Sequence, residues 1–253
     1  MPEVGLSRGM IHYESYGEGQ PLIGLHDGAG SSKAWKKQIE IFATYYRFII
    51  YDRLGFGRSE PRLSYEEGYL ENRVRELEEL VTDLGIDSAH LCGMCEGGAV
   101  ALAFASSYPD RVKTLILQSV GYYGTDETIA RCESYFQPWS KLDGSLRNWL
   151  IYHHGQDYAM LKWEAIRKAR HYVWSQSYDL RPRFSRMKSP TLIIGGDRDP
   201  FFDLEHPIAA YRGIKNSELC IVPGTGHFPN EEAPAIFDKV ILYFLKRHRT
   251  PPM

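Results

Sequence analysis

No run of apolar residues in this chain approaches the roughly 18 needed to cross a bilayer, so no membrane span is expected. The N-terminal stretch MPEVGLSRGM lacks the long apolar core of a secretory signal. Cysteine is scarce: Cys92, Cys95, Cys132 and Cys220 are too few for a disulfide framework in 253 residues. A cytoplasmic protein with reduced thiols is therefore the expectation. An excess of one charge is also missing, with 30 Lys and Arg against 32 Asp and Glu. That balance gives no bulk electrostatic case for a nucleic-acid or membrane partner. Internal repeats and low-complexity stretches are absent. With 43% hydrophobic and 25% charged residues, the chain has the composition of a globular protein. Its length suffices for a large core, with no metal or cofactor needed to hold it. Oligomeric state is not readable from these features.

What is present is an alternation of short β-rich runs and amphipathic helices, the pattern of a parallel sheet wrapped in helices. Strands are expected at 22–26, 47–51, 89–92, 113–119, 190–196 and 219–223. Helices are expected at 32–45, 66–84, 96–108, 207–213 and 233–246. In the second helix Leu77, Leu80, Val81 and Leu84 recur at helical spacing before Gly85 ends it. The alternation breaks over 121–188. That segment carries no clear strand and is rich in aromatics: Trp139, Trp149, Tyr152, Tyr158, Trp163, Tyr172 and Trp174. A helical insertion between two strands has the form of a lid, so the expected division is a core of 1–120 and 189–253 with a lid of 121–188.

The sequence Gly93-Met94-Cys95-Glu96-Gly97 falls between a strand and a helix. Small flanking residues let strand and helix backbones pass closely around a strained central residue. A helix N-terminus at that point favours a thiolate, which makes Cys95 a candidate nucleophile. Cys92 forms a C-x-x-C with Cys95, but no thioredoxin-like frame surrounds the pair, and a redox role is set aside.

With four further segments, this stretch resembles the α/β-hydrolase superfamily. Gly93–Gly97 resembles its G-x-S-x-G nucleophile elbow, with cysteine at the serine position as in dienelactone hydrolases. The run from His26 through Asp27 and Gly28 to Ser32 resembles the oxyanion loop; Asp27 replaces the usual glycine and is expected to hold the loop. The run from Asp52 to Ser59 resembles a structural D-x-x-G-x-G-x-S turn. Asp199 stands at the acid position, with Asp197 as the alternative, and His227 in GTGHFP stands at the histidine position. The likeness covers about residues 10 to 247. It is nearest to lidded small carboxylesterases of the valacyclovir-hydrolase (biphenyl-hydrolase-like) group, on Gly97-Gly98, Trp163-Glu164 and the Arg-Pro-Arg-Phe run at 181–184.

The resemblance implies an α/β fold: a mostly parallel central sheet with helices on both faces, plus the inserted helical lid. It implies Cys95, Asp199 and His227 as catalytic residues and the N–H groups of Gly28 and Glu96 as oxyanion donors. Trp139, Trp163 and Phe228 are the expected substrate-binding aromatics, with no metal and no cofactor. The expected reaction is cleavage of an ester, lactone or thioester through an acyl-cysteine, on a small substrate with an apolar or aromatic part. Acyl transfer to an acceptor other than water is one alternative. A second is a C–C bond hydrolase or lyase whose cysteine serves acid–base chemistry; a third is a non-enzymatic binding protein. His12, His90, His206 and His248 are expected at the surface or at strand ends, and His153 and His154 in structural roles.

Overall fold

The computed structural model describes residues 2–173 and 175–248, with the backbone alone for 170–173. Trp174 and the side chain of Tyr172, two of the aromatics noted above, lie outside the described residues. The chain opens with strands β1 (Glu3–Leu6), β2 (Gly9–Tyr16) and β3 (Pro21–Leu25), followed by helix α1 (Ile39–Ala43) and strand β4 (Arg47–Tyr51). Helix α2 (Tyr69–Asp83), strand β5 (Ala89–Met94), helix α3 (Glu96–Ser107) and strand β6 (Val112–Gln118) complete the first half. Three helices follow without an intervening strand: α4 (Asp126–Tyr135), α5 (Gly144–His154) and α6 (Ala159–Val173). The alternation resumes with β7 (Thr191–Gly196), α7 (Glu205–Gly213), β8 (Ser217–Val222), α8 (Pro229–Glu232) and α9 (Pro234–Arg247).

The strands form one sheet in the order β1-β2-β4-β3-β5-β6-β7-β8. The first two pairings, β1 with β2 and β2 with β4, are antiparallel, and all the others are parallel. Alternate residues of the central strands feed two cores. Ile23, Ile49, Leu91, Leu115 and Ile193 join Leu77, Leu80 and Val100 of α2 and α3 on one face. Leu22, Phe48, Cys92, Ile116 and Leu192 join Trp35, Phe42, Phe237 and Phe244 on the other. This two-sided burial explains why RFIIY reads as a continuous apolar run. Among the described residues, no helix is long and apolar enough to cross a membrane.

The insertion between β6 and β7 has a small core of its own, formed by Leu142, Leu150, Ala159 and Trp163. Two of its helices, α4 and α5, begin on side-chain caps. Thr125 and Thr128 exchange hydrogen bonds at the start of α4, and Asp143 accepts from the Leu146 N–H at 2.8 Å at the start of α5. An isolated antiparallel bridge between Tyr123 and Asp179 joins the segments entering and leaving it.

Three expectations need correction. The antiparallel β1 and β2 had no counterpart in the sequence reading. The single helix expected over 32–45 is a 3-10 turn at Ser32–Trp35 followed by the short α1. Asp52 draws it in by accepting the Ser32 N–H at 2.6 Å, and Trp35 is fully buried. His12, inside β2, and His206, in α7, are buried rather than at the surface or a strand end; His90 does lie near the start of β5 but is buried there. His90 bonds Thr114 Oγ1 at 2.8 Å and Gln20 Oε1 at 2.9 Å, and His206 Nδ1 accepts from the Tyr122 N–H at 3.2 Å.

Candidate active site

Cys95 links the end of β5 to the start of α3 with φ 51° and ψ −118°, a conformation that costs a non-glycine residue about 1–3 kcal/mol. Its neighbours hold it there. The Cys95 N–H donates to Gln118 O at 2.8 Å. A Cβ at Gly93 would lie 2.5 Å from Gly97 O, and one at Gly97 would lie 2.3 Å from His26 O. The two glycines are therefore required by the close passage of β5, α3 and the loop after β3. Cys95 is partly exposed, whereas burial pushes the Cys132 thiol up to about 12 and Cys92 higher still.

Asp199 and His227 come from the turns after β7 and β8. Asp199 Oδ2 accepts from His227 Nδ1 at 2.8 Å, and both side chains are buried. Asp199 Oδ1 accepts the N–H groups of Phe201 at 2.8 Å and Phe202 at 3.2 Å, which fixes the carboxylate. Asp197, the alternative acid, instead accepts the Gly224 N–H at 2.6 Å and is exposed. Cys95 lines the same cavity as His227 and acts on its ring. Burial opposes charge on this ring, but the negative sulfur of Cys95 and the Asp199 carboxylate outweigh it. Together they raise His227 to about 10, so the ring rests as imidazolium at neutral pH.

The loop after β3 is held by a set of short hydrogen bonds. Asp27 Oδ1 accepts the N–H groups of Ala29 and Gly30, each at 2.8 Å, which is the loop-holding role expected for it. His26 donates from Nδ1 to Asp27 O at 2.8 Å and accepts the Arg53 N–H at Nε2, 3.1 Å away. Arg53, fully buried, also donates to Asp27 O and to Glu96 Oε1 at 2.8 Å, and Tyr69 OH reaches the same Glu96 oxygen at 2.6 Å. Glu96 Oε2 is left beside Gly28, where an added Cβ would lie only 3.0 Å from it. The Gly28 N–H has no acceptor among the described residues. The Glu96 N–H sits in the first turn of α3, where no preceding helical carbonyl can take it.

These groups open into a cavity of about 380 Å³ between the sheet and the insertion. Asp27, Gly28, Cys95, Glu96 and His227 form its floor, while Tyr135, Phe136, Leu146, Trp149, Phe201 and Phe228 make most of the rest apolar. Of the three aromatics expected to bind substrate, only Phe228 lines it. Trp163 is fully buried behind the wall, where it stacks on Phe136 at 5.2 Å and donates to Gln137 O at 2.8 Å. Trp139 packs into the insertion core and does not line the cavity. The reading missed Trp149 and the pair Phe201-Phe202. The pair had a signal, since it follows Asp199-Pro200 directly. Among the described residues, no group of three or more His, Cys, Asp or Glu is placed to hold a metal ion.

A family model described as "Alpha/beta hydrolase family" matches residues 22–240. The chain belongs to this family and is a hydrolase-fold enzyme. The 2-hydroxy-6-oxo-6-phenylhexa-2,4-dienoate hydrolase of Comamonas testosteroni is 28% identical, covering 97% of this chain and 94% of that one. A 2-hydroxy-6-oxononadienedioate/2-hydroxy-6-oxononatrienedioate hydrolase from the same organism is also 28% identical, over 96% and 93%. The solved structure of a meta-cleavage product hydrolase from Pseudomonas fluorescens IP01 superposes with a TM-score of 0.78 at 22% identity, covering 98% of each chain. A thermophilic esterase from Thermogutta terrifontis gives 0.79 at 24% identity, over 98% of this chain and 99% of that one. Both superpositions speak to the fold.

The named relatives overturn the expected reaction. A 2-hydroxy-6-oxo-dienoate contains no ester, lactone or thioester bond, and hydrolysis of its carbon chain breaks a C–C bond. Ester, lactone or thioester cleavage through an acyl-cysteine on a Cys-His-Asp triad is therefore withdrawn; the relatives favour the C–C hydrolase alternative.

Proposed function

We propose that this chain hydrolyses a C–C bond in a 2-hydroxy-6-oxo-dienoate bearing an apolar or aromatic group at its ketone end. The observation that carries this reading is the agreement of near-full-length relatives on one substrate class. The cavity chemistry is consistent with it. Breaking the bond between C5 and the C6 ketone needs C5 to leave as a carbanion. That is tolerable only when the carbanion is conjugated to a second carbonyl. The 2-hydroxy-diene must therefore first become the 2-oxo form, losing its hydroxyl proton and gaining one at C5.

An imidazolium at rest suits that first step, because His227 would deliver the proton to C5 as a general acid. The neutral ring then takes a proton from water as it adds to C6. The Gly28 and Glu96 N–H groups would hold the developing oxyanion. Collapse breaks C5–C6 and releases a carboxylic acid. His227 returns its proton to the departing dienolate oxygen, restoring a 2-hydroxy-diene; the proton of the new carboxylic acid then recharges the ring, and the hydroxyl proton lost in the first step leaves to solvent. In this scheme Cys95 supports the charged form of His227 without bonding to substrate, and Asp199 holds the ring orientation.

The apolar upper walls favour a phenyl or alkyl ketone over a second carboxylate, since burying an unpaired carboxylate is costly. The helical segment 121–188 would act as the lid through which substrate enters. The test follows 2-hydroxy-6-oxo-6-phenylhexa-2,4-dienoate by absorbance and product analysis, with rapid-quench intact mass on the protein. Benzoate and a five-carbon 2-hydroxydienoate, with no adduct on Cys95, are expected. An acylated Cys95 would refute the acid–base scheme, and the absence of turnover would refute the substrate class.

A further inference from the structure

Two consecutive histidines at the C-terminal end of α5 reach from the insertion to the loop after β3. His154 Nδ1 accepts the Gly57 N–H at 3.1 Å, so its Nε2 carries the hydrogen, and Nε2 donates to Ala29 O at 2.7 Å. His153 Nδ1 bonds Ser31 Oγ at 2.8 Å. Both rings are buried. Every other hydrogen bond on the 27–30 backbone described above comes from the core: Asp27 and His26 from the loop itself, and Arg53 from the turn after β4. Of the 27–30 backbone groups, the Ala29 carbonyl is the one bonded from the insertion among the described residues; His153 adds a side-chain bond to Ser31 beside it.

We propose that His154 is a positioning residue that completes the oxyanion loop from the insertion. By pinning the Ala29 carbonyl, it fixes the turn that aims the free Gly28 N–H into the cavity. The loop is consequently ordered for catalysis only when α5 is seated. This coupling rests on the hydrolase reading above for its catalytic consequence, though not for its structural one. Fixing a backbone N–H in advance is what makes an oxyanion donor effective, since no reorganisation then remains for the reaction to supply.

The two bonds of His154 can be separated by substitution. His154→Gln places an amide N–H near the Nε2 position and keeps the donor to Ala29 O, at the expense of the acceptor for Gly57. His154→Asn does the reverse, keeping an acceptor near the Nδ1 position and losing the reach to Ala29. A merely structural role makes the two variants alike. Two measurements apply to the full chain: amide hydrogen exchange over residues 26–32, and steady-state turnover of the phenyl dienoate. For His154→Asn we expect exchange in that segment to rise about tenfold and kcat to fall about 10–100-fold, with KM within about twofold. His154→Gln is expected to stay within about threefold of the parent in both. Equal behaviour of the two variants, or unchanged exchange in His154→Asn, would overturn the proposal. If the parent chain fails to turn over the dienoate, the functional reading falls, and the exchange data alone decide the positioning claim.

Discussion

The floor of the cavity and its upper wall are held by different kinds of contact. The floor is made of turns at the ends of β3, β5, β7 and β8, each pinned by short hydrogen bonds to backbone, as with Asp199 on Phe201 and Phe202 and Asp27 on Ala29 and Gly30. The upper wall is made of helices α4 to α6, held mainly by side-chain packing around Trp163 and Leu150. Polar contacts tie it to the core as well, among them the two histidines of α5 and Tyr158, whose hydroxyl donates to Arg62 O at 3.0 Å. Chemistry on the floor should therefore be sensitive to single atoms. The wall should tolerate change except where it touches the floor.

The largest effect is expected on the floor. His227→Gln removes the proposed general acid and base, and kcat should fall by about 10³–10⁴-fold in steady-state assays while thermal unfolding stays cooperative. Cys95→Ala comes next, with kcat lower by about 100-fold. It should also move the pH–rate profile. In the parent chain the imidazolium persists until the pH passes about 10. Without the sulfur charge it should be lost at lower pH, so the high-pH limb should shift toward neutrality. An unshifted limb would detach Cys95 from His227.

At the contact between wall and floor, burial lowers His153 and His154 to about 4 each. Unfolded histidine binds its proton near 6.5, so between about pH 6.5 and 4 the unfolded chain holds more protons than the folded one. Stability should accordingly fall as the pH drops through that window, by about 3 kcal/mol per ring. Thermal melts at stepped pH would register this, and His153→Gln should flatten part of the slope. The smallest effect belongs to the wall itself. Trp163→Phe should cost about 1–2 kcal/mol through its lost hydrogen bond and packing, and leave kcat/KM unchanged. Trp149→Ala, which faces the cavity, should raise KM instead.

The same contrast governs what could be read in the sequence. Floor residues announce themselves because a tight turn demands particular residue types at fixed spacing, as Gly93 and Gly97 do around Cys95. Asp199 and His227 likewise follow strands whose apolar runs mark them. The wall gives no such signal. Trp139, Trp149 and Trp163 have equal claim by composition, and only the packing of one helix on another decides that Trp149 faces the cavity while Trp163 is sealed behind it. The antiparallel β2 escaped for a related reason: GMIHYESY mixes polar and apolar residues without a clean period. The reaction was the least legible. An elbow cysteine invites an acyl-thioester, and nothing in the local motif states which bond the substrate presents.

The most direct measurement is product identification after incubation with 2-hydroxy-6-oxo-6-phenylhexa-2,4-dienoate, combined with intact mass of the protein quenched during turnover. C–C hydrolysis predicts benzoate and the five-carbon 2-hydroxydienoate in equal amounts, with the protein mass unchanged. No loss of the dienoate, or a protein heavier by an acyl group on Cys95, would contradict the account.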